Sequence, residues 1–87
     1  TPPKGTSRKP RSVEQEILHL AAERHGVVSP SRVAIRAEVG PEKARDQLDR
    51  LVGQGFAEVQ VTRQGLMVYV FPEFLDDDGR RELEELL

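Results

Sequence analysis

The apolar positions of this chain follow two periods, and the period changes twice. From Ser12 to Gln54 they recur at helical spacing. From Phe56 to Phe71 they alternate, and after Asp76 the helical spacing returns. Val13, Ile17, Leu20, Ala21 and Arg24 lie on one stripe with Leu18 on its flank, which predicts a first helix over Ser12–His25. Ser12 is suited to cap it, Gln15 to close a capping box, and Gly26 to supply a left-handed exit. Ser29-Pro30 predicts the start of a second helix, with serine as cap and proline at the first helical position. Val33, Ala34 and Ala37 form its inner side, while Arg32 and Arg36 share an outer face. Gly40-Pro41 is the expected break before a third helix, whose buried stripe is Ala44, Leu48 and Leu51 with Val52 beside them. Gly55 ends it.

Phe56 to Thr62 and Leu66 to Phe71 have the strand period and are joined by Arg63-Gln64-Gly65, a hairpin. A minor strand near Val27-Val28 is placed to pair with it. Pro72 ends the second run. Asp76 to Asp78 then lie at the positive end of a last helix carrying Leu83, Leu86 and Leu87 on one face.

This order resembles the winged helix-turn-helix superfamily, as found in small bacterial regulators. The resemblance rests on three segments. Ser29-Pro30-Ser31-Arg32-Val33-Ala34 opens the second helix, Ala44-Arg45-Asp46-Gln47-Leu48-Asp49-Arg50-Leu51 is the third, and Gly55-Phe56-Ala57-Glu58-Val59 leads into the hairpin. It implies an α+β fold with a three-helix core, a two-stranded wing and, here, an extra C-terminal helix. The expected organisation is a basic arm over residues 1–11, a winged helix domain over 12–75 and an acidic helix over 76–87. The first residue is threonine and the last are still in helical pattern, so we expect a piece of a longer protein.

Charge is unevenly distributed. Residues 1–11 carry Lys4, Arg8, Lys9 and Arg11 and no acid, the body carries −2, and residues 76–87 carry −4, giving the net −2. Three prolines and few apolar side chains predict a disordered arm. The absence of cysteine excludes disulfides, thiolate chemistry and Cys-based zinc sites, and fits a cytoplasmic setting. No apolar run is long enough to insert into a membrane.

The resemblance implies that the third helix meets the DNA major groove and the wing meets the backbone. Helical geometry around Ala44, Leu48 and Leu51 sends Glu42, Asp46, Asp49 and Gly53 outward, with Lys43, Gln47 and Arg50 on one shoulder and Arg45 on the other. An acidic centre repels phosphate, so the candidate DNA contacts are a rim. Arg32, Arg36, Lys43, Arg50 and Arg63 hold phosphate, Gln64 is a further contact from the wing, Gln47 reads bases, and the arm adds sequence-independent affinity. The expected partner is double-stranded DNA.

The other reading is a protein-interaction or dimerisation module. If Leu66, Val68 and Val70 face the helices, Met67, Tyr69 and Phe71 form an exposed contact patch. If the faces are reversed, the aromatics are core, which is the preferred assignment because a small domain with four aromatics buries them. Either way, one strand face is expected to meet solvent. Leu83, Leu86 and Leu87 pack back on the domain or extend into a self-associating helix.

Enzymatic and metal readings find no support. His19 and His25 have no third ligand at metal spacing. His25 suits a cation at a helix C-terminus. Asp76-Asp77-Asp78-Gly79 would begin a calcium loop at Phe74, which cannot coordinate. There is no phosphate-binding glycine loop and no nucleophile elbow. No cofactor is expected.

Overall fold

The computed structural model describes residues 12–87; the arm residues Lys4, Arg8, Lys9 and Arg11 lie outside them. The elements run α1 (Val13–Glu23), β1 (Val27–Val28), α2 (Pro30–Ala37), α3 (Pro41–Gly53), β2 (Glu58–Val61), β3 (Met67–Val70) and α4 (Asp77–Leu86). The three strands form one antiparallel sheet in the order β1-β3-β2. This is an α+β fold consistent with a winged helix, and the short strand expected at Val27-Val28 pairs with β3.

Local chemistry explains the helix starts. Ser12 Oγ accepts from the Gln15 N–H at 3.1 Å and Gln15 Oε1 accepts from the Ser12 N–H at 3.0 Å, a complete capping box. Ser29 Oγ accepts from the Arg32 N–H at 3.3 Å, with Pro30 at the first helical position. The break between α2 and α3 lies at Gly40-Pro41 as expected, with Gly40 as the N-cap of α3 and Pro41 at its first position; Glu38, at φ 56°, is the left-handed residue that ends α2.

Ile17, Leu20 and Ala21 of α1, Val33 and Ala34 of α2, and Ala44, Leu48 and Leu51 of α3 are all buried, and Val28, Tyr69 and Phe71 complete this core from the sheet. The second face of the sheet corrects the sequence reading. Val27, Val68 and Val70 are also buried, although alternation points them away from Tyr69. The reason is α4. Near its start, Gly79 is packed so tightly against the His25 carbonyl that a Cβ has no room. Near its end, the Leu86 carbonyl accepts from the Arg63 N–H at 3.0 Å. The helix thus runs from the α1–β1 turn to the hairpin turn, and the sheet lies between it and the three-helix core. The helix packs back on the domain through its two ends. Leu83 and Leu86 are half-buried, and Leu87 stays exposed.

Met67, Tyr69 and Phe71 are therefore not an exposed patch. Tyr69 and Phe71 are fully buried and Met67 packs against the core. That interface is overturned by the register of the hairpin, which turns the odd-numbered residues toward the helices.

Candidate nucleic-acid interface

Four elements border one groove of about 510 Å³, with Leu86 of α4 at one side. The start of α2 contributes Ser29, Pro30 and Ser31, the start of α3 contributes Pro41, Glu42 and Arg45, and the hairpin contributes Gln64, Gly65 and Leu66. The hairpin turn is closed by Thr62, whose N–H donates to the Leu66 carbonyl at 2.7 Å and whose Oγ1 accepts from the Leu66 N–H at 3.0 Å. Gly65 has a φ of 86°, the left-handed conformation this turn requires. The Arg63 and Gln64 side chains are consequently held outward and exposed.

The expected rim residues divide into two groups. Arg32, Lys43, Arg50 and Arg63 are exposed, and none enters an ion pair among the described residues. Arg36 is different. Its guanidinium makes a two-pronged contact with Glu23 of α1, at 3.0 Å and 2.6 Å, and lies 3.7 Å from Glu16. The hydrogen bonds to Glu23 raise its pKa further. It ties α2 to α1, and this contact competes with the phosphate contact expected of it. Gln47 is half-buried, less available to a base edge than its shoulder position implied.

The acidic centre of α3 also changes. Glu42 borders the groove and Asp46 is exposed, but the Asp49 carboxylate accepts a 2.6 Å hydrogen bond from the Tyr69 hydroxyl. Burial, reinforced by that carboxylate, pushes the Tyr69 pKa up to about 12, while Arg45 acts in the opposite direction. Asp49 is thus engaged with the sheet instead of standing free at the centre of the helix face.

Sequence reasoning missed two further features. His25 Nδ1 lies 2.8 Å from Asp76 Oδ2, while Asp76 Oδ1 accepts from the Gly79 N–H at 2.9 Å and so caps α4. The hydrogen bond with Asp76 raises the His25 pKa, and Asp76 is lowered by the Gly79 N–H and then by His25. The second feature is a separate apolar groove of about 430 Å³, in which Leu18 and Phe56 are exposed beside Phe74. Leu18 was legible as the flank of the α1 stripe; Phe56 was not separable from the strand pattern. Among the described residues no group of three His, Asp or Glu stands close enough to hold a metal ion. No helix of the described residues is long and apolar enough to cross a membrane.

No family model matches the sequence, and no curated protein matches it. Among solved structures the chain is similar to ZitR from Lactococcus lactis, determined as a single-site mutant. The TM-score is 0.59 and the identity 16%, over 98% of this chain and 56% of that one. The likeness bears on the fold alone, and it is consistent with a winged helix. The chain spans little more than half the length of ZitR.

Proposed function

We propose that this domain is a non-catalytic winged helix module that binds double-stranded DNA, as a segment of a transcriptional regulator. The observation that carries the reading is the convergence of the α2 start, the α3 start and the hairpin turn on one groove, with exposed cations on each of these elements. In this reading the hairpin β2–β3 is the wing. Arg32, Lys43, Arg50 and Arg63 hold phosphate as mobile point charges at a rim. Gln64 and the half-buried Gln47 are the neutral groups near bases, and Arg45 borders the same groove. Lys4, Arg8, Lys9 and Arg11 of the arm add affinity that is independent of sequence. A cytoplasmic setting belongs to the same reading, as does the winged helix fold shared with ZitR.

The test is titration of mixed-sequence duplex DNA, with and without residues 1–11, at low and at physiological salt. The reading expects salt-sensitive binding that survives removal of the arm. Joint reversal of Arg32 and Arg63 to glutamate then lowers the slope of log affinity against log salt by about 2, roughly one for each phosphate no longer neutralised. No binding, or binding only through the arm, overturns it.

The protein-interaction reading keeps one specific support, away from the strand face of Met67, Tyr69 and Phe71. Phe56 is 52% exposed beside Leu18, on a groove bordered by Glu14 and Glu73. Loss of a protein partner on Phe56→Ala, with DNA binding absent, would favour it.

A further inference from the structure

β2 is an edge strand, with β3 on one side and, among the described residues, no strand on the other. The ladder determines which of its backbone groups are in use. The Thr62 N–H donates to the Leu66 carbonyl, and Gln60 and Glu58 lie opposite Val68 and Val70. Bonded pairs recur at every second residue of an antiparallel ladder. Glu58 and Gln60 therefore direct their N–H and C=O groups to β3, the Thr62 C=O accepts from the Gly65 N–H within the turn, and the groups of Val59 and Val61 point away from the sheet. Among the described residues nothing bonds to them.

The side chains of the edge are equally unguarded. Val59 is 37% exposed and Val61 is 60% exposed, both on the face shared with Tyr69 and Met67. Edge strands are commonly blocked by lysine, proline or a bulge. Glu58-Val59-Gln60-Val61 has no lysine or proline, and its register with β3 is unbroken. Its shortness, four residues, is the protection it has.

We propose that this edge pairs with the same edge of a second copy of the chain, antiparallel across a two-fold axis. Val59 of each copy lies opposite Val61 of the other, and the two Gln60 residues face each other at the axis. The neighbouring registers fail for stated reasons. Centring on Glu58 sets like charges directly opposite. Centring on Val59 needs the backbone of Ala57, which is buried. Centring on Val61 needs the Arg63 N–H, which is already given to Leu86. Centring on Gln60 uses only the free groups of Val59 and Val61. It pairs valine with valine on one face, and it brings two neutral amides together, each of which donates and accepts. The partner is a second copy because the edge is self-complementary in this register.

The chain contains no cysteine, so a single introduced thiol reports on the register without background. In the proposed dimer residue 60 faces its own copy in a non-bonded pair, at a Cα separation of about 4.5 Å, within the range a disulfide spans. The Gln60→Cys chain is expected to form a covalent dimer under mild oxidation. Leu66→Cys, on the hairpin but off this edge and 61% exposed before substitution, is not. Sedimentation equilibrium of the unmodified 87-residue chain, up to about 1 mM, should show a monomer–dimer equilibrium. Val61→Lys should weaken it roughly tenfold or more, with the far-ultraviolet circular dichroism unchanged. A chain that stays monomeric throughout overturns the proposal, as does equal cross-linking at positions 60 and 66. No DNA is present in these measurements, so their failure leaves the DNA reading untouched.

Discussion

The Tyr69 hydroxyl donates a 2.6 Å hydrogen bond to the Asp49 carboxylate, joining the middle of the sheet to the exposed side of α3. The bond orients α3 relative to the hairpin and engages one of the acids that helix geometry sends outward. Tyr69→Phe keeps the ring and removes the donor. The expected loss is roughly 1.5–3 kcal/mol, the range for a hydrogen bond to a charged group. It is measured as a lower urea midpoint at unchanged slope. In the Asp49→Ala background the same substitution should cost much less; an equal cost in both backgrounds would show that the bond contributes nothing.

Arg36 and Arg32 sit four apart on α2 but do different work. Arg36 grips Glu23 across the α1–α2 contact, whereas Arg32 is exposed and, among the described residues, outside any ion pair. Arg36→Gln should lower the thermal midpoint and leave the salt dependence of DNA binding as it was. Arg32→Gln should do the reverse, leaving the midpoint within about 1 °C and lowering the salt slope by about 1. Paired melting curves and salt titrations check both; a change in salt slope for Arg36→Gln would restore it to the phosphate rim.

The His25–Asp76 contact makes α4 sensitive to pH. His25 is raised above 6.5 by the hydrogen bond and charge of Asp76, with Asp78 and Glu82 adding to it. Its contribution is complete below pH 6.5 and is lost as pH rises through the raised value. Asp76 is lowered below 3.8, so its contribution is present above that value and is lost as pH falls through the lowered one. The pair therefore supports α4 most strongly between about pH 4 and 6.5. His25→Asn, which tolerates the left-handed backbone at position 25, should flatten the alkaline fall of the thermal midpoint. A fall that persists unchanged would assign it to another group.

Gly79 has no room for a side chain against the His25 carbonyl. Gly79→Ala improves helix propensity yet should destabilise the protein by roughly 1–3 kcal/mol, the usual cost of overpacking. Amide exchange should show faster opening at Val68 and Val70 than at Leu48, because the first two lie under α4 and the last lies in the three-helix core. Unaltered exchange at Val68 would mean that α4 is not what buries this face.

What could be read from the sequence was what local spacing encodes. The Ser12–Gln15 capping box, the Ser29-Pro30 start and the buried stripe Ala44, Leu48, Leu51 each lie within one or two helical turns, and all are present. The left-handed Glu38 was not legible, because glycine is the usual residue in that conformation and a glutamate gives no local signal for it. The exposure of Arg32, Lys43, Arg50 and Arg63 follows from helix phase and turn position. The engagement of Arg36 and Asp49 does not, because their partners stand 13 and 20 residues away. The His25 contact spans 51 residues, beyond any periodic signal. Strand alternation likewise finds which residues share a face but not how many layers cover it, so burial on both faces of β3 appeared only once α4 was placed.

A β-hairpin that projects alone into water is free to sway, and a partner that needs it in one place must overcome that freedom. Here the Leu86 carbonyl holds the hairpin turn at the Arg63 N–H. The opposite end of the same helix is lodged at His25. The turn bearing Arg63 and Gln64 is braced like the arm of a bracket, and whatever it contacts meets it already in position. The entropy of ordering that tip is given up during folding and does not recur in the binding step.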